Sequence, residues 1–118
     1  MSIIPNENEN QDKIDLTTEL FLARINEKYD LEKAILFGSY ARHEARAQSD
    51  MDIAILLRGL HAQRADTALD MASIAFDVMM ETGILVDAVP FWMDEWQHPE
   101  NFKNPALIKN IQQDGILL

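Results

Sequence analysis

The chain contains no cysteine, which excludes both a disulfide framework and a thiolate metal site. Basic residues are scarce, 10 against 20 acidic ones, and they are scattered rather than gathered into a stripe. Phosphate neutralisation supplies most of the affinity of nucleic-acid binders, so a long polynucleotide is a poor partner for a formal charge of −10. The same charge suits a basic protein through electrostatic steering, or simply keeps the chain soluble. No apolar run approaches the roughly 20 residues that a membrane helix needs. The opening stretch MSIIPNENENQDK lacks the basic leader and apolar segment of a secretory signal, so the expected location is cytoplasmic.

What remains is a composition of 47% hydrophobic and 25% charged residues over 118 positions, which fits one globular domain with a modest core. Residues 1–12, rich in Asn, Glu and Gln without a period, read as a loose, disordered tail, leaving 13–118 as the domain. Ile14, Phe21, Leu22, Ile25 and Tyr29 fall on one helical face. KAILFG (33–38) and DIAILL (52–57) read as buried strands, and ILVDAVPF (84–91) as a third whose Pro90 places its end at an edge or terminus. Between them Ala65, Ala68, Leu69, Ala72, Phe76, Met79 and Met80 keep helical spacing up to a stop at Gly83. A last helix is signalled by Asn104 as N-cap, Pro105 at its first position and Gly115 past its end. The expected fold class is therefore α/β, a small mixed sheet flanked by helices, without repeats or a second domain.

The chemistry concentrates in FGSYARHEARAQSDMDIAILL, residues 37–57. Gly38 closes a strand and Ser39 opens a short helix, a turn whose free N–H groups suit an anion such as phosphate. Arg42 adds a planar fork of donors. A Gly-Ser pair ending a strand is common, however, and alone carries little. Asp50 and Asp52 are spaced so that both carboxylates leave one face of an extended segment. At about 4 Å they repel by about 4 kcal/mol at an effective dielectric near 20, which calls for a counter-charge such as Mg²⁺. Alternatively the pair lies on a frayed, solvated strand end with Asp50 capping a turn. Asp87 sits where a central strand position is normally apolar. Either it faces the other two across one strand spacing, or it turns to solvent on an uncovered face.

His43, His61 and His98 have no metal-ligand spacing and read as surface residues. Trp92 and Trp96, one helical turn apart, read as core or else as an aromatic anchor for a partner, and Met79 and Met80 as helix packing. The charges of the MDE and QQD segments read as solvated faces.

Gly38-Ser39, a spacer, Asp50-x-Asp52 and a later Asp87 together resemble the polymerase β nucleotidyltransferase superfamily. Within it, GSYARHEARAQSDMDIAILL is similar to the minimal nucleotidyltransferase antitoxins that pair with HEPN-domain toxins. That resemblance covers nearly the whole chain after the tail, including the closing DGILL. It implies a polymerase-β-palm-like domain that transfers AMP from ATP to a hydroxyl, a tyrosine, of a cognate HEPN ribonuclease toxin. The implied cofactor is Mg²⁺, two ions, held by Asp50, Asp52 and Asp87, with Asp87 also as base. Gly38 and Ser39 would hold the β- and γ-phosphates, with Arg42 near them. Relatives that act on small molecules generally carry a second domain for the acceptor, so an acceptor site supplied by a partner protein is expected here. The other readings are an antitoxin acting by stoichiometric binding and a small-molecule nucleotidyltransferase subunit.

Overall fold

The computed structural model describes residues 7–46 and 49–118. Helix α1 spans Glu7–Lys28, followed by strand β1 (Leu31–Phe37), the single turn α2 (Gly38–Ala41) and strand β2 (Met51–Leu57). Helix α3 (Arg64–Thr82) leads to strand β3 (Val86–Trp92), α4 (Met93–Gln97), a 3₁₀ turn at Pro99–Asn101, helix α5 (Pro105–Asp114) and the short strand β4 (Ile116–Leu117). The strands form one sheet in the order β3-β2-β1-β4. Strand β1 is antiparallel to β2 and β4, whereas β2 and β3 are parallel, joined by α3 as the crossover. The expected mixed sheet with flanking helices is the fold. No helix among the described residues is long and apolar enough to cross a membrane.

Strand β2 is central and apolar on both faces, which is why it reads as a continuous run rather than an alternating one. Ile53, Ile55 and Leu57 pack with Phe21 and Ile25 of α1 and with Met71, Ala75 and Val78 of α3. Ala54 and Leu56 point the other way, into a smaller cluster with Phe91, Trp96, Ile108 and Ile111. The sheet is thus sandwiched between α1 and α3 on one side and α4 and α5 on the other. Trp92 and Trp96 are buried, as their spacing suggested. Pro90 lies in an edge strand, where its missing N–H need not break a ladder.

Three expectations are corrected. Of the segment 1–12 expected as a loose tail, residues 7–12 are helical, and residues 1–6 lie outside the described residues. Glu and Gln are good helix formers, Gln11 bonds Asp15 one turn on at 2.9 Å, and extending a nucleated helix avoids the cost of starting one. On α3 the periodic set points largely away from the core. The side facing the sheet is Thr67, Met71, Ala75, Val78 and Thr82, whereas Ala65, Leu69, Ala72, Phe76 and Met80 are exposed. Period fixes the spacing of an apolar stripe, not its direction, and this helix carries two stripes. Finally, Glu95 of the MDE segment is not solvated. It is buried, pairs with Arg64, and accepts the Trp92 N–H at 3.1 Å.

Candidate functional site

The site lies where β1 ends and β2 and β3 begin. The β1–β2 ladder sets Phe37 opposite Asp52, so the chain leaving β1 at Gly38 must turn directly above that carboxylate. Gly38 has φ +71°, the left-handed region that glycine enters without penalty. A Cβ there would overlap Asp52 Oδ2 and come within 3.2 Å of its Cγ. Glycine is required twice at this position, by conformation and by contact. Helix α2 then makes one turn, closed by the Arg42 N–H donating to the Gly38 carbonyl at 3.1 Å. Its first four N–H groups, from Gly38 to Ala41, have no partner within the helix.

Asp87 is the lateral neighbour of Asp52 in the parallel β2–β3 register. Parallel strands lie about 4.8 Å apart, and alternation places Asp52 and Asp87 on the same face, that of Ala54, Leu56, Val89 and Phe91. Asp87 faces Asp52, and it is exposed because β3 is an edge strand rather than because its face of the sheet is uncovered. Asp50 precedes β2 and is exposed, while Asp52 is half-buried. Burial, then the charges of Asp87 and Asp50, push the Asp52 carboxyl above its ordinary value, with Arg42 pulling the other way and a hydrogen bond to Asp87 adding to the rise.

Ser39 is half-buried beside Gly38. Arg42 is the C-cap of α2, and its Nε donates to Glu44 at 3.1 Å. It borders a cleft of about 230 Å³ lined by Phe37, Gly38 and, from α5, Leu107, Asn110, Ile111 and Asp114. Sequence reasoning missed these α5 residues, since nothing in the spacing of an amphipathic helix says which strand end it will cover. It also passed over Tyr40, whose hydroxyl donates to the Ser49 carbonyl at 3.4 Å. Burial, then the charge of Asp50, raises the Tyr40 phenol. Its place directly after Gly-Ser was the available signal.

No group of three or more His, Cys, Asp or Glu side chains drawn together closely enough to hold a metal ion occurs among the described residues. The carboxylates are neighbours rather than a finished cage. Mg²⁺ requires only one or two carboxylates beside phosphate oxygens and water, and the raised Asp52 carboxyl marks a place where positive charge is wanted. The Asp52–Asp87 pair, with Asp50 beside it, fits such an ion.

The family model for polymerase beta nucleotidyltransferases matches residues 21–118, from the second half of α1 through β4. The chain belongs to this family. Its nucleotidyltransferase domain therefore includes every strand of the sheet and all the residues of the site. A Methanocaldococcus jannaschii protein named "Putative protein adenylyltransferase MJ1305" is 32% identical over 71 residues, 58% of this chain and 48% of that protein. The match thus spans about half the length of that relative. Among solved structures, a "putative nucleotidyltransferase" from Sulfolobus solfataricus superposes with a TM-score of 0.58 at 18% identity, covering 98% of this chain and 90% of the other. A second, described as "the toxin-antitoxin with AMP-PNP", gives 0.59 at 19% identity, covering 92% and 71%. At these identities the likeness is one of fold.

Proposed function

We propose that this nucleotidyltransferase domain is an antitoxin that transfers AMP from ATP to a tyrosine hydroxyl of a cognate HEPN-domain ribonuclease toxin and so neutralises it. The observation that carries this reading is the stacking of the Gly38 turn directly on the Asp52 carboxylate, with Asp87 at its side. A phosphate-binding turn and a carboxylate pair are useful together only if a polyphosphate is held between them. The named relative adds support through its protein-adenylyltransferase description, and the toxin–antitoxin neighbour through its bound AMP-PNP.

In this reading the N–H groups of Gly38 and Ser39 and the Ser39 hydroxyl bind the β- and γ-phosphates, and Arg42 neutralises part of their charge. Asp50, Asp52 and Asp87 are the residues that would hold Mg²⁺, which when bound offsets phosphate charge and makes the attacking hydroxyl more acidic. Asp87, the most accessible carboxylate of the Asp52–Asp87 pair, takes the proton of the incoming hydroxyl. The hydroxyl oxygen forms its bond to the α-phosphorus as the bond to the bridging oxygen of pyrophosphate breaks, in line. The acceptor side of Asp87 lies at the sheet edge, open to a protein-sized substrate.

Intact-mass spectrometry of the purified toxin after incubation with Mg-ATP and catalytic amounts of the protein tests this. A gain of one AMP residue, or a small multiple, is expected, and it should vanish with Asp52→Asn. Ser39→Ala should slow transfer less, since the backbone donors of the turn survive. The second reading, an antitoxin that acts by one-to-one binding, rests on the formal charge of −10, which suits a basic partner protein whether or not a group is transferred. Inhibition seen only at equimolar ratio, without mass gain, would select it.

A further inference from the structure

The exposed stripe of α3 has no role in the site or the core. Leu69 is 70% exposed, Phe76 53% and Met80 70%, and with Ala65 and Ala72 they form one continuous line opposite the sheet. Scattered single apolar residues on a surface mean little, but a contiguous line along a five-turn helix marks an interaction surface. Its flank is acidic. Asp70 and Glu81 are engaged by Lys28 and Arg24 of α1, whereas Asp66 and Asp77 are exposed without an ion pair among the described residues. The helix's single cation, Arg64, is turned inward to Glu95 and the Pro90 carbonyl.

We propose that this face is the docking surface for an amphipathic helix of a partner protein, with an apolar stripe flanked by Lys and Arg. Charge selects that occupant. A second copy would set one acidic flank against another on chains that each carry a formal −10, whereas basic flanks would complete the unpaired Asp66 and Asp77. The topology gives the docking a direction. As the crossover between parallel strands, α3 runs against them, so the Phe76–Met80 end of the stripe lies at the same end of the sheet as Asp52 and Asp87. The carboxylates are on the opposite face of the sheet from α3. A helix seated on the stripe would thus hold its own protein at that end of the sheet, from where a segment passing round the β3 edge would reach them. This use of the surface rests on the protein-acceptor reading above; the surface itself does not.

The test uses the full chain and a synthetic helical peptide with leucines on one face and lysines on both flanks, followed by fluorescence anisotropy. Phe76→Glu should weaken binding about tenfold or more, and a peptide with glutamate flanks should fail to bind. Phe76→Glu also makes the surface more acidic, so mere attraction of a cationic peptide would be strengthened by the same change. Unchanged or tighter binding in Phe76→Glu overturns the proposal. So does a wild-type chain that sediments as a dimer and becomes monomeric in the variant, which would assign the face to a second copy. Asp52→Asn should bind the peptide as the wild type does. Loss of transfer with retained docking, or the reverse, therefore separates failure of the active-site reading from failure of this one.

Discussion

Replacing Gly38 by alanine tests the contact on which the site is built. Two costs are separable. Holding an L-residue at φ +71° costs about 1–2 kcal/mol. The new Cβ also overlaps Asp52 Oδ2, the far end of a side chain, so the carboxylate can swing away at about 1 kcal/mol of rotamer strain. Alanine returns about 0.5 kcal/mol by restricting the unfolded chain, leaving a net loss of about 2 kcal/mol. For a domain of this size that lowers Tm by roughly 8 °C. The diagnostic quantity is how the cost changes with its neighbour. In an Asp52→Ala background the overlapping oxygen is gone and the remaining Cβ lies at an ordinary 3.5 Å. Gly38→Ala should then cost about 1 kcal/mol less, a coupling that urea denaturation of the four proteins in the cycle can resolve. Function should suffer more than stability, because the strain is relieved by moving the carboxylate that the site depends on. Costs that add without coupling would show that the turn does not rest on Asp52, and the reasoning would fail.

Asp52→Asn should raise Tm by a few degrees in divalent-free buffer at neutral pH, since unit charges one strand spacing apart repel by about 1–3 kcal/mol and the exposure of Asp87 favours the lower figure. The carboxyl is raised in the fold, so its contribution to stability is full in acid and is lost as pH climbs through the raised value. The mutant's advantage should accordingly be absent in acid and open over that interval in a pH series of thermal scans. Arg64→Ala should cost about 2–3 kcal/mol in chemical denaturation. It strands the buried Glu95 and removes a guanidinium 5.0 Å from the ring centres of Trp92 and Phe102. Adding Glu95→Gln should recover part of that loss, and a cost under about 0.5 kcal/mol would contradict the pairing. The Tyr29 phenol, pushed up to about 12 by burial and by its hydrogen bond to Asp70, should titrate nearer its ordinary value in Asp70→Asn when followed by ultraviolet absorbance.

How much of this was legible in the sequence depended on whether a feature is local. Strands β1 and β2, the caps of α5 at Asn104 and Pro105, and the Gly38 turn are written in adjacent residues, and they stand where their residues place them. The meeting of Asp52 and Asp87 was readable only as a conditional, because it needs β2 and β3 to be parallel neighbours in one register. The direction of α3 was not readable at all. Its core side uses Thr67 and Thr82, with Thr82 Oγ1 bonded to the Val78 carbonyl at 3.0 Å, while its solvent side keeps leucine, phenylalanine and methionine. Hydrophobicity alone ranks those sides in the wrong order. Glu95 was misread for a related reason: its cation, Arg64, is far away in sequence and is brought to it only by the crossover.

Among the described residues strand β3 has a partner strand on one side only, so its other side, apart from the Pro90 carbonyl that Arg64 engages, leaves backbone groups outside any ladder. Two residues make it a poor template for sheet extension. Pro90 lacks the N–H that an incoming strand would need, and Asp87 holds an exposed negative charge in the middle of an otherwise apolar run. The carboxylate proposed as the base therefore also stands where a gatekeeper charge against strand pairing is expected. A neutral apolar replacement at position 87 would remove the charge from both the proposed reaction and the strand edge, so loss of activity in such a variant would have to be measured on the soluble fraction. Asparagine, which is also disfavoured in strands, is the substitution that separates the two.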